Sequence, residues 1–213
     1  MGIPVMIMGE SGSGKSTSLR NFTPEEIGIF NVASKPLPYR ASGMKIINGA
    51  SYGGIIKSLK KNLMHCYAID DSQYLMCFEL FAHAKDNGYG KFTDMAVNFY
   101  SLLQSVICDT DDSTIVYFLH HVDNTDGFCR AKTVGKMLSE KLTVEGLFTI
   151  VLMCTADENG HHFITQSEGR STAKSPMGMF DKVEIDNDLK AVDTIIRKYY
   201  GLTTQEDKNH EET

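Results

Sequence analysis

Short apolar runs of about six residues alternate along the chain with stretches carrying apolar residues at helical spacing. Ile3–Met8, Ile27–Val32, His65–Ile69, Thr114–Leu119 and Leu147–Cys154 read as buried strands by length and flanks. Between them, the patterns over Lys15–Phe22, Ser51–Leu63, Gln73–Lys85, Asp94–Cys108, Thr133–Leu142 and Asp188–Tyr200 predict helices. The clearest are Ser51–Leu63, with Ile55, Ile56, Leu59 and Leu63 on one face, and Asp188–Tyr200, with Leu189, Val192, Ile195 and Ile196 in register. Met44–Asn48 reads as a short strand or hairpin arm, and Asn159–Gly160 as a hairpin turn leading into His162–Thr165. Strand–helix alternation of this kind predicts an α/β fold, a mostly parallel central sheet flanked by helices. Ligands of such sheets sit beyond the carboxyl ends of the strands, here Met8, Ile69, Leu119 and Cys154.

A length of 213 residues fits one domain, predicted over 1–202, with a polar, disordered tail over 203–213. Hydrophobic residues at 42% and charged residues at 23% match an ordinary globular protein. No run approaches the roughly 20 apolar residues of a bilayer span, so no membrane role is expected. Five cysteines, odd in number and never spaced as CxxC, fit reduced thiols and a cytoplasmic location rather than a disulfide framework or zinc ribbon. The net charge of −6 gives no general attraction for nucleic acid, so any such contact needs a local basic patch.

The strongest chemical signal follows the first strand. Gly9-Glu10-Ser11-Gly12-Ser13-Gly14-Lys15-Ser16 fits GxxxxGK[ST] at every fixed position, and Thr17 continues it. Glycines let successive N–H groups curl around an anionic phosphate, and the following helix adds unpaired N–H groups. The expectation is ATP with Mg²⁺: Lys15 on the β- and γ-phosphates, the Ser16 hydroxyl on the metal.

Asp70 and Asp71 end a predicted strand, where one carboxylate can hold Mg²⁺ and a second can orient the attacking water. Asp70 is assigned to the metal and Asp71 to the water; capping of the next helix is the plain alternative. His120 ends the strand expected between the first strand and the Asp70 strand, and is the candidate sensor of the γ-phosphate. His161 and His162 read as a solvated pair beside a turn. No NKxD-type guanine motif is present, and five scattered arginines do not make a kinase lid.

The segments GESGSGKS, YAIDDSQYL, TIVYFLHHVD and AKSPMGMFD…NDLKAVDTIIRKYYGL resemble phage-encoded ATP-binding proteins with a RecA-like P-loop core, some of them single-strand annealing proteins. The resemblance spans Ile3 to Leu202 and implies an oligomeric, Mg-dependent ATPase acting on single-stranded DNA in phage recombination or replication, inside the bacterial host. It implies a basic residue reaching a neighbour's γ-phosphate, for which Lys174, or Arg170 before it, is the match. One departure stands out: RecA-like enzymes carry a catalytic glutamate after the second strand, where this chain has Phe30-Asn31-Val32-Ala33-Ser34. Two loops suit single-stranded DNA, Asp86–Phe92 with Lys91, and Asp123–Lys136 with Arg130, Lys132 and Lys136. The rival expectation is a nucleotide-gated module that hydrolyses poorly and holds a partner such as a helicase or a phage single-strand-binding protein. A nucleotide kinase is a third alternative.

Overall fold

The computed structural model describes residues 1–202; the expected tail at 203–213 lies outside them. The strands are β1 (Ile3–Gly9), β2 (Gly28–Asn31), β3 (Lys45–Asn48), β4 (Cys66–Asp70), β5 (Ile115–Thr125), β6 (Phe128–Ala131), β7 (Ile150–Asp157), β8 (Gly160–Ile164) and β9 (Glu184–Asp186), and the five apolar runs fall on β1, β2, β4, β5 and β7. The helices are α1 (Tyr52–Leu59), α2 (Gln73–Ala82), α3 (Gly90–Asp109) and α4 (Leu189–Tyr200). The fold is α/β, as the alternation predicted.

The strands join one sheet in the order β3-β2-β4-β5-β1-β7-β8-β9, with β6 paired only to β5. The six strands from β3 to β7 run parallel, while β8, β9 and β6 add antiparallel edges. As expected, β5 separates β1 from β4. Side chains alternate across the sheet. Met6 and Met8 of β1 enter a core with Phe99, Leu102 and Leu103 of α3, whereas Val5 and Ile7 enter a second core with Val192 and Ile196 of α4. Burial on both faces is why the parallel strands read as continuous apolar runs rather than as alternating ones.

Two helix ends follow capping chemistry. The Asp188 carboxylate accepts from Lys190 N and Ala191 N, and Gly201 closes α4 at φ 63. The Ser51 hydroxyl accepts from Gly54 N at the start of α1. That helix stops at Leu59 rather than Leu63, because Asn62 turns the chain at φ 47 and leaves Leu63 exposed.

Three expectations need correction. The helix expected over Lys15–Phe22 is a 3₁₀ helix, Ser16–Asn21. The Ser18 hydroxyl bonds the Lys15 carbonyl, a local alternative to helical pairing, and Thr23–Pro24 blocks extension. Thr133–Leu142 yields only a π turn at Met137–Lys141. β5 continues to Thr125 and returns through β6, so Asp123–Lys136 is largely a hairpin and not a loop; its turn, Asp126–Gly127, has φ 52 and 80. Of the two readings of Met44–Asn48, the short strand holds: β3 pairs parallel with β2.

Candidate functional site

Gly9–Thr17 leaves β1 at the carboxyl edge of the parallel strands, and β4 delivers Asp70 and Asp71 to the same edge. A cleft of about 240 Å³ lies there, lined by Gly12, Lys15, Ser16, Asp70, Asp71 and Lys35 among others. The loop's composition answers to its geometry. A Cβ on Gly9 would come within 2.5 Å of Ser13 Oγ and 2.6 Å of the Cys154 carbonyl. Gly14 has φ 100, and a Cβ there would lie 2.7 Å from His161 Cγ. His161 lies beside the loop yet stays exposed, as expected of a solvated histidine. His162 faces Asp157 at 3.3 Å and Glu184 at 3.8 Å.

Lys15 is buried and folds back on the loop, its Nζ donating to the Gly9 carbonyl at 2.8 Å and the Glu10 carbonyl at 2.7 Å. Burial is the largest influence on this ammonium and lowers its pKa below that of an exposed lysine. A cation ringed by carbonyls beside a curl of N–H groups suits an oxyanion that can replace those carbonyls. Behind the loop, burial pushes the Cys154 thiol up to about 11, so it stays protonated and donates to the Ser13 carbonyl.

Ser16 Oγ donates to Asp70 Oδ1 at 2.7 Å, bringing together the two residues the sequence assigned to a metal. Burial raises the Asp70 pKa, and the Ser16 bond only partly offsets it. Among the described residues no group of three or more His, Cys, Asp or Glu side chains converges. One carboxylate and one hydroxyl make a partial oxygen set, which suits Mg²⁺ completed by phosphate oxygens and water rather than a metal held wholly by protein.

Asp71 takes a left-handed backbone conformation, φ 59, one that aspartate tolerates better than most residues. Its carboxylate accepts from His121 Nε2 at 3.0 Å and pairs with Lys35 Nζ at 2.6 Å. Burial alone would raise its pKa; the hydrogen bonds from His121 and Lys35 outweigh burial, and the net shift is downward. An ionised carboxylate so held orients a water better than it keeps a proton.

His120 does not reach the cleft. It is fully buried, stacks edge-on to Phe99, and has both ring nitrogens engaged: Nε2 to the Lys132 carbonyl at 2.8 Å and Nδ1 to Ser72 Oγ at 2.9 Å. The carbonyl can only accept, so Nε2 carries the proton and Nδ1 receives the serine hydroxyl. His121, one residue on and on the opposite face, occupies the position expected of His120. Sequence reasoning also passed over Lys35. The signal was present, a lysine between Ser34 and Pro36 just after β2, where a glutamate was sought.

The remaining candidates lie apart. Lys174 pairs by backbone with Val151 near the start of β7, and the Arg170 carbonyl accepts from Cys129 N. Lys91 sits in the first turn of α3 rather than in a loop, with Nζ donating to the carbonyls of His83 and Asp86. Arg130 lies over Phe128 and opposite Asp123 in the hairpin register; Lys132 is exposed; Lys136 reaches Glu140 at 3.9 Å. The cleft of about 780 Å³ beside this hairpin is lined by Asp123, Asp126 and Glu145 as well as Arg130, so it does not present a uniformly basic surface. Among the described residues no helix is long and apolar enough to cross a membrane.

No protein-family model matches the chain, and no significant match is found among curated proteins.

Proposed function

We propose that the chain is a Mg²⁺-dependent ATPase with a RecA-like P-loop core, working as an oligomer on single-stranded DNA in phage recombination or replication. The observation that carries this reading is the convergence of Lys15, the 2.7 Å Ser16–Asp70 pair and Asp71 in one cleft at the strand ends. The placement of β5 between β1 and β4 supports it, because it leaves room at the sheet edge for a polar residue, His121, between the loop and the acids.

In this mechanism the loop N–H groups and the Lys15 ammonium exchange the Gly9 and Glu10 carbonyls for phosphate oxygens. Ser16 and Asp70 would hold the Mg²⁺, which would supply charge neutralisation on the terminal phosphates. Asp71 orients a water in line with the γ-phosphorus. The water oxygen bonds to phosphorus, the bond to the β–γ bridging oxygen breaks, and the water proton leaves with inorganic phosphate as ADP departs.

The second reading, a nucleotide-gated partner protein with slow turnover, is favoured by the pairing of basic residues with acids, Arg130 opposite Asp123 and Lys136 beside Glu140, and by the net charge of −6. One experiment separates them: Mg·ATP hydrolysis with and without single-stranded DNA over a range of protein concentrations. DNA-stimulated turnover that rises cooperatively is the expected result, with Lys15→Ala losing at least about 100-fold, as for removal of a main electrostatic contact. Measurable binding with negligible, DNA-independent turnover replaces the first reading by the second. Full activity in Lys15→Ala overturns both.

A further inference from the structure

β2 ends at Asn31, whose Nδ2 donates to the Lys35 carbonyl at 2.7 Å and to Asn48 Oδ1 at 2.9 Å. The chain then bends through Ser34 at φ 54, and Pro36 restricts the backbone that follows. The backbone of Lys35 is thus pinned at the mouth of the cleft while its side chain remains 60% exposed. Its ammonium sits 2.6 Å from Asp71 Oδ2 and 5.6 Å from the Tyr74 ring centre. Asp71 is the opposite case, 5% exposed, its other oxygen tied to His121. An exposed cation faces a fixed carboxylate in the same cleft as Lys15 and Ser16.

We propose that Lys35 is a second phosphate-reading cation acting within its own subunit, latched to Asp71 without nucleotide and drawn onto the terminal phosphate of a bound triphosphate. This rests on the nucleotide reading above. The lysine end of the pair is exposed, and the buried carboxylate keeps its His121 bond when the lysine leaves, so opening the latch does not strand a bare buried charge. A terminal phosphate offers more charge and more acceptor oxygens than one carboxylate that also shares its charge with His121. A diphosphate lacks the group that competes with Asp71, so it leaves the latch closed. Transfer of Lys35 opens the Asp71 Oδ2 edge, and the carboxylate becomes free to accept from water only when a triphosphate is present.

The test is equilibrium binding of Mg·AMP-PNP and Mg·ADP to the full chain, to Lys35→Gln and to Asp71→Asn. Lys35→Gln is expected to weaken AMP-PNP about tenfold, the scale of one charge-assisted phosphate contact, while ADP affinity holds within about twofold. Asp71→Asn releases the latch and is expected to tighten AMP-PNP, while ATP turnover falls. Equal weakening of both nucleotides by Lys35→Gln, or no change in their ratio, overturns the inference and leaves the nucleotide site standing. A wild-type chain that binds neither nucleotide overturns both.

Discussion

His120 and His121 are adjacent in sequence and occupy different media. On an extended strand, successive side chains point to opposite faces. His120 therefore shares its face with Phe118 and packs on Phe99, while His121 points with Leu119 toward the edge where the acids lie. The sequence located the pair but not which member faces the cleft, although Phe118 two positions back was the available clue. Burial, helped against only by the Lys132 carbonyl, depresses the His120 pKa to about 4, and nearby His121 and Lys15 push the same way. A histidine whose folded pKa lies below its unfolded value takes up its proton more readily when unfolded. Its contribution is intact above the unfolded pKa of about 6.5 and is lost as pH falls toward 4. Between pH 7 and pH 5 this single group should cost about 2 kcal/mol of stability. Urea unfolding at the two pH values should show that loss in the wild type and a flatter profile in His120→Asn, which is less stable at pH 7. Parallel pH profiles would mean that His120 is solvated or protonated in the folded protein.

The central strands β1, β2, β4, β5 and β7 were the legible part of the fold at the level of elements, because their buried stretches read as uninterrupted apolar runs. The same is true of α4, whose Asp188 cap and Gly201 stop bracket a one-sided apolar stripe. What escaped was set by local competition rather than by pattern. The segment after Lys15 has helical spacing over too few residues, and Ser18 bonds back to the main chain, so a 3₁₀ turn wins. The β5–β6 hairpin is announced by Asp126–Gly127, a dipeptide whose left-handed backbone suits two-residue turns, but the polar residues around it read as loop. β9 is three residues long and carries no pattern of its own. The Asp188 cap also bears on the site, since Asn21 Nδ2 donates to Asp188 Oδ2 at 2.8 Å and Arg20 reaches the Asn187 carbonyl. These bonds dock the 3₁₀ helix that carries Ser16 against the start of α4. Asp188→Ala should lose about 1 kcal/mol in chemical unfolding, the usual cost of an N-cap. It should also weaken Mg·ATP binding if that docking holds Ser16 in place. A stability loss with unchanged nucleotide affinity would confine Asp188 to capping.

Any catalytic role of Lys174 belongs to the scale of assembly. Its backbone bonds to Val151, and the β1–β7 register sets Val151 beside Met6, three residues before Gly9. At about 3.3 Å per residue that is about 10 Å short of the strand ends where the loop begins. Within one chain Lys174 is thus set back from the cleft holding Lys15, Asp70 and Asp71, and the cation nearest that cleft from outside the loop is Lys35. A role for Lys174 in catalysis requires a head-to-tail neighbour, in which one subunit's 166–182 segment meets the next subunit's strand ends. Mixing makes this testable. Lys15→Ala has a dead site with an intact Lys174, and Lys174→Ala has an intact site without that lysine. If the lysine acts across the interface, each alone is inactive, and a 1:1 mixture regains about a quarter of wild-type turnover, because random heterologous assembly pairs a good site with a good lysine at that frequency. Nucleotide binding by Lys174→Ala should stay at the wild-type level, since no bond from its side chain supports the loop. Co-assembly without any recovery would place Lys174 in the structural edge of β7 alone, and Lys35 would then be the cation to credit with reading the terminal phosphate.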